Sequence, residues 1–398
     1  MWLYFLASIA GLFPGLTFPF GLGWKALHPF DLLFVACLGF AVWKRAVRSP
    51  DWGLIASGAA FVGAGGLALW FHPSASGGRA VASIAYSVAV LLVVSHVRLD
   101  AIGVRLDRVI LRPLFIAVAL AWVIFLIENL TGVAVGPNQS AALPSSLHRL
   151  GGLSGANTLI LFLCLAAPLA RSSVSTLAGI LVPAFATLSR SMAGVGLALL
   201  LRDQSLKSTE AAPRAIHIQA LSWLSVALGL FAYAFAVVPV ETAQRTPFNV
   251  SLEPGGYLTL HKAGLRMFAA HPVLGVGPAR FIREFRGFTS EAERLRIVDR
   301  DIPGWNPHSA LLGVAAEQGL IGLAAFAWLI HTIYARLRRI KDPPLRAAAV
   351  AGLTGLLVGG HFVDWLTLKG LWLWIGMMAA SQAATQGNLP AALPEESR

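Results

Sequence analysis

Twelve runs of apolar residues follow one another along this chain with few charges inside them, and any fold must satisfy that pattern. Backbone placed in hydrocarbon has to hydrogen-bond to itself, so such runs become helices. A span needs roughly 20 mainly apolar residues. The runs lie at about 2–20, 29–47, 52–72, 79–97, 109–130, 156–171, 174–189, 191–201, 215–240, 309–335, 346–360 and 371–386. Composition agrees, with 56% hydrophobic and only 13% charged residues, where a soluble domain carries about a quarter charged. The expected fold is an all-α polytopic membrane protein with about twelve transmembrane helices. The first run begins at Trp2 with no basic stretch before it, so it is expected as a span and not as a cleaved signal. The run 191–201 is too short to cross alone. A broken or re-entrant helix around Arg190 is therefore expected, which membranes tolerate where protein or water covers the break.

A net charge of +12 would suggest nucleic acid in a soluble protein. Here the basic residues gather in short loops, as cytoplasmic loops do. The groups are Lys44, Arg45 and Arg48; Arg98, Arg105, Arg108 and Arg112; Arg202, Lys207 and Arg214; and Arg336, Arg338, Arg339, Lys341 and Arg346. With twelve spans all four fall on one side with both termini, and that side is expected to be the cytoplasm. The expected organisation is a membrane domain over 1–240, an outer loop or cap over 241–308, three last spans within 309–386, and a cytoplasmic tail at 387–398. No nucleic-acid partner is expected. Membrane lipid is.

The segment 241–308 carries nine Lys/Arg and seven Asp/Glu, the charge of a folded cap and not of a tether. Pro254-Gly255-Gly256 reads as a turn, followed by a helix to about Ala270. Tyr257 and His261 share one face of it, as do Lys262 and Arg266, being four apart. Leu258, Leu265 and Phe268 are expected to pack against the membrane domain. HPVLGVGP then breaks the helix with two prolines and two glycines, and Ser290 with Glu293 forms a capping box. At the end, Asn306 reads as an N-cap and Pro307 as the first helical residue, which puts His308 in a first turn. The helix dipole disfavours imidazolium there, so His308 would be neutral and suited to accept a proton. The alternative is a purely structural histidine.

Arg190 lies at a span end or inside a break. A guanidinium in or near hydrocarbon usually faces a polar cavity or a partner, and its fork matches phosphate oxygens; the alternative is snorkelling to the interface. Glu317, nine residues after His308, falls on the opposite face of the same helix and is expected to partner an arginine on another helix. His361 and Asp364, three apart near a helix end, either contact each other and line the same cavity or cap the interface. Glu128 and Asp31 receive no role. Cys37 and Cys164 sit in apolar runs, so neither disulfide nor metal is expected. There is no P-loop and no GxGxxG after a strand, and GVG at 275–277 reads as a turn.

HPVLGVGPARF followed by NPHSALLGVAAEQGLIGL resembles the O-antigen ligase and polysaccharide polymerase superfamily. His271, Pro272, Gly275, Gly277 and Phe281 fit the first part of its pattern. His308, Glu317, Gly319, Leu320 and Gly322 fit the second, and the TLSR stretch ending at Arg190 matches its Ser-Arg motif. The resemblance covers about 180–335 by motif. It implies a C-type glycosyltransferase-like fold in the bacterial inner membrane, with a helical periplasmic cap. Members commonly carry an arginine about fourteen residues upstream of the HP histidine. Here Tyr257 stands there, so His261, Lys262 or Arg266 supplies the charge, or the acceptor differs. Ser309 follows His308 where many members have asparagine.

The resemblance further implies glycan transfer from an undecaprenyl-diphosphate donor, without cofactor or metal. The expected acceptor is lipid A–core, or a growing glycan if the protein is a polymerase; transfer to protein hydroxyls is a third reading. Lipid diphosphate is a good leaving group and needs charge neutralisation, for which Arg190 with Lys262, Arg266 or Arg280 are candidates. The acceptor hydroxyl needs a base, for which His308 is the candidate. A transporter would show repeated halves with buried midplane charges; no repeat is found, and the charges gather at one face.

Overall fold

The computed structural model describes residues 2–14, 21–22, 25–26, 28–131, 150, 154–170, 174–187, 189–206, 215–239, 250–254, 256–295 and 307–381. Every one of the twelve apolar runs contains a helix: α1 (Trp2–Leu12), α2 (Pro29–Trp43), α3 (Trp52–Phe71), α4 (Ala75–Ser95), α5 (Arg112–Thr131), α6 (Ala156–Ala166), α7 (Val174–Ala186), α8 (Met192–Leu206) and α9 (Ala215–Ala234) come before the outer segment. Within that segment lie α10 (Gly256–Ala270), α11 (Phe281–Glu284) and α12 (Glu291–Leu295), and after it α13 (Ala310–Arg338), α14 (Pro343–Gly359) and α15 (Lys369–Ala380). Among the described residues, four helices are long and apolar enough to cross a membrane: Trp52–Phe71, Ala75–Ser95, Arg108–Thr131 and Ala310–Arg338. Five apolar helices are shorter. The chain is a helical membrane protein.

Two short antiparallel pairings accompany the helices. Gly21–Leu22 pairs antiparallel with Lys25–Ala26. The run expected to stay helical to 240 leaves the helix after Ala234, where Phe235–Pro239 pairs antiparallel with Val250–Pro254. Val237, Val238 and Val250 are β-branched and favour extended backbone.

Helix α5 shows why lipid is the natural solvent. Leu114, Ala117, Val118 and Ala121 are buried, while Ile116, Leu120, Val123 and Ile127 form an exposed apolar stripe. Such a stripe on a helix is costly in water and neutral in hydrocarbon. Side chains cap several starts. Asp51 accepts from Leu54 N–H at 3.2 Å and Ser74 from Gly77 N–H at 3.0 Å. His28 Nδ1 accepts from Phe30 N–H at 3.0 Å. Each such cap is worth about 1 kcal/mol.

The basic loops meet at one end of the bundle. Val47 bridges Val97, Arg48 N–H bonds His96 O at 2.8 Å, and Arg98 N–H bonds Ala46 O at 2.7 Å. The buried Arg336 guanidinium reaches Asp51 at 3.2 Å and Ser95 O at 3.0 Å, which joins the end of α13 to those loops. Helix α8 runs antiparallel to α14: Gly194 lies against Gly355 and Gly359, and Ala198 against Gly355. Small residues allow this close backbone approach. Arg202 on α8 therefore lies towards the Pro343 end of α14, with the fourth basic group.

At the other end Asp31, for which no role was expected, accepts from Lys369 Nζ at 2.8 Å and Tyr86 OH at 2.9 Å. The Lys369 ammonium also sits 4.6 Å from the Tyr86 ring centroid. This cluster ties α2, α4 and α15 together. Cys37 and Cys164 are buried and free, and Glu128 is buried.

Candidate active site

Two sequence motifs are sewn together by backbone. Gly319 interrupts α13 with φ 64° and ψ −156°, a region open essentially to glycine alone. The interruption frees donors and acceptors, and the HPVLGVGP turn takes them. Val276 N–H bonds Ala316 O at 2.8 Å, Gly277 N–H bonds Glu317 O at 3.1 Å, and Leu320 N–H bonds Pro272 O at 2.7 Å. The approach is so close that a Cβ on Gly275 would stand 2.6 Å from Ala316 O and Gln318 N. Gly275 itself has φ 67°.

Glu317 completes this joint. Its carboxylate accepts from Ala279 N–H at 2.9 Å and Phe281 N–H at 3.2 Å, the free donors at the start of α11. The expected arginine partner is thus replaced by two backbone N–H groups. Around the joint Leu260, Ala263 and Met267 of α10 pack on Phe281, Phe285 and Ala316. That stripe differs from the expected one, since Leu265 is exposed.

The helix start at His308 also differs from expectation. Asn306 lies outside the described residues, and α13 begins at Ala310 with Ser309 as its N-cap, accepting from Leu312 N–H at 3.2 Å. Ala310 N–H bonds Gly360 O at 3.0 Å, so α14 fixes where α13 starts. His308 precedes the cap in the left-handed region at φ 45°, uncommon for a non-glycine residue.

Around His308 three other segments converge. From α10 comes His261, buried at 4% exposure, whose ring bonds the His308 backbone. After α14 comes His361, with ring centroid 5.0 Å from that of His261 and Nδ1 3.4 Å from Ser309 Oγ. From the break between α7 and α8 comes Arg190, close enough to act electrostatically on both His308 and His261. Ser191 fastens that break, donating to Gly359 O at 2.8 Å. The expected helix break at Arg190 is present, and α8 is longer than the run 191–201, reaching Leu206.

The electrostatics follow from the geometry. Burial, with the Arg190 guanidinium, pushes the His308 imidazole down to about 4. Burial, with the His361 and His308 rings and Arg190, pushes His261 down to about 4 as well. Burial also lowers His361. All three rings are therefore neutral at pH 7, and the fixed positive charge of the cluster is Arg190.

The remaining candidates separate. Arg266, exposed, forks onto Glu293 at 2.8 and 2.9 Å and donates to Phe288 O at 2.9 Å. This holds Glu293 down to about 2. Glu293 also closes the expected capping box with Ser290. Arg280 pairs with Glu284 at 3.0 Å. Lys262 is exposed. Tyr257 lies in the first turn of α10, its side chain outside the described residues. Asp364 accepts from Leu366 N–H at 3.1 Å, a turn cap. Sequence reasoning missed Ser309 and Ser191 as the residues that fasten the site; their only signal was a short hydroxyl beside a helix break.

No curated protein matches the chain. Residues 156–327, which include Arg190, α10, the HPVLGVGP turn, His308 and Glu317, match the family model described as O-antigen ligase, which supports a relationship to the O-antigen ligase superfamily.

Proposed function

We propose that the protein transfers a glycan from undecaprenyl diphosphate to lipid A–core at the periplasmic face of the bacterial inner membrane. The observation that carries this reading is the meeting of Arg190 with the neutral His308 ring, at the end of the bundle away from the basic loops. In this reading all twelve apolar helices belong to the membrane domain, both termini are cytoplasmic, and α10 to α12 form the periplasmic cap.

The acceptor hydroxyl oxygen bonds to the anomeric carbon, and the bond from that carbon to the diphosphate oxygen breaks. The lipid diphosphate leaves with the bonding electrons, the hydroxyl proton passes to His308, and the linkage inverts. An imidazole held near 4 is a weak base. It accepts the proton late, as the new bond makes the hydroxyl acidic. Arg190 neutralises charge on the departing diphosphate. The cap residues Arg266 and Arg280 each have a carboxylate partner; in this reading Arg190, which acts on the His308 ring, carries that role, with Lys262 as the remaining cap candidate.

The lipopolysaccharide profile of a deletion strain tests the choice of acceptor. Loss of all O-antigen attachment with accumulation of lipid-linked polymer supports ligation. Core bearing a single repeat overturns it in favour of polymerisation.

A further inference from the structure

Nothing in the reaction above uses His261, yet it is among the most buried polar side chains of the segment between α9 and α13. Its ring bonds the backbone of His308, a residue held at φ 45°. A left-handed non-glycine residue persists only where its surroundings over-determine it. Three features do so here. Ser309 caps α13 immediately after His308, Ala310 N–H is tied to Gly360 O at 3.0 Å, and His261 grips the His308 main chain from α10. The backbone dihedrals of His308 set the direction of its Cβ, so the grip on the main chain aims the imidazole.

The His261 ring also packs against His361, with ring centroids 5.0 Å apart and planes at 60°. His361 in turn touches Ser309 Oγ at 3.4 Å. The two rings form a bracket that starts on α10, passes through the loop after α14, and returns to the residue next to His308. Helix α10 is anchored independently by Leu260, Ala263 and Met267 in the small core with Phe281 and Ala316. His261 therefore transmits the position of a rigid element to the residue proposed as base.

We propose that His261 is a positioning residue that holds His308 in its reactive orientation through a ring-to-backbone hydrogen bond, and does not bind the donor. The proposal rests on the assignment of His308 as proton acceptor. It also separates His261 from the alternative that it supplies the charge missing at Tyr257, because a neutral, buried ring engaged with protein backbone offers no charge to a diphosphate.

The test uses full-length protein in proteoliposomes, with undecaprenyl-diphosphate-linked glycan from the native host as donor and lipid A–core as acceptor. His261→Phe keeps a ring against His361 and removes the hydrogen bond. His261→Asn keeps an amide N–H able to reach the same carbonyl. The expected result is a kcat lowered at least tenfold in His261→Phe with donor KM within twofold, and recovery to within about threefold of wild type in His261→Asn. The His261→Phe acid limb of the pH profile is also expected to move, because a displaced His308 samples a different distance from Arg190. Unchanged kcat in His261→Phe, or a raised donor KM at unchanged kcat, overturns the proposal. His308→Ala run beside them separates the two levels. If His308→Ala stays active, the base assignment fails and takes this proposal with it. If His308→Ala is inactive and His261→Phe is normal, only the positioning role fails.

Discussion

Gly319→Ala is the substitution whose cost can be worked from the structure most completely. The residue sits at φ 64° and ψ −156°, where a side chain costs of order 1–3 kcal/mol. The new Cβ would also overlap the Val273 carbonyl group and stand 2.7 Å from Leu274 N. Backbone on both sides leaves no flexible group to yield, so relief requires the HPVLGVGP turn to lift from α13. That lift breaks the bonds Leu320 N–H to Pro272 O at 2.7 Å and Ile321 N–H to Val273 O at 3.3 Å, each worth about 0.5–1.5 kcal/mol net. The total is a loss of about 2–6 kcal/mol. Gly63→Ala provides the control, since a Cβ there meets nothing within 4 Å and lies within α3, where alanine favours the helix by roughly 0.5–1 kcal/mol. Tryptophan-fluorescence unfolding in detergent should show Gly319→Ala well below wild type and Gly63→Ala at or slightly above it. Equal midpoints for the two variants would refute the claim that the interrupted helix and the turn form one rigid joint.

The neutral histidines predict a flat pH profile. With His308 and His261 held down to about 4, transfer should be constant from pH 8 to about 5 and fall below, measured as initial rate in proteoliposomes. The same shifts act on stability: an unfolded chain takes these protons at the ordinary value near 6.5, so their contribution is full above 6.5 and is lost as pH falls through 4. A rate that falls between pH 7 and 6 would contradict the assigned burial. Arg190→Lys keeps the charge and loses the planar fork; donor KM should rise roughly tenfold, more than kcat falls, and an unchanged KM would remove Arg190 from the diphosphate. Asp31→Asn leaves Lys369 without its carboxylate. Because both side chains are nearly 30% exposed, the loss should be about 1–3 kcal/mol, below that of a fully buried pair. Lys369→Met in addition should restore the midpoint, and failure to do so would deny the pairing.

Among the described residues, each apolar run read from hydropathy holds a helix, because lipid leaves the backbone no alternative to internal bonding. The break at Arg190 was legible for the same reason, as an arginine followed by too short a run. Helix starts were less legible. Asn306-Pro307 is a good local signal, but Gly360 O takes the Ala310 N–H, so packing against α14 places the cap at Ser309. Glu317 was read as an ion-pair partner because a buried carboxylate needs compensation. Its compensation comes from two backbone N–H groups, which carry no sequence signature. The Asp31–Lys369 contact spans 338 positions, beyond any local pattern. Arg266 and Lys262 looked like equivalent charges on one helix face; only the fold sets Arg266 against Glu293.

In the proposed mechanism His308, beside Arg190, accepts the proton of the attacking hydroxyl. The most direct measurement is release of undecaprenyl diphosphate from purified lipid-linked glycan, with lipid A–core present, by wild type and by His308→Ala in proteoliposomes. Release matched by glycosylated core is expected in wild type, and a loss of at least about a hundredfold in His308→Ala with donor binding retained. Full release and transfer by His308→Ala would contradict it.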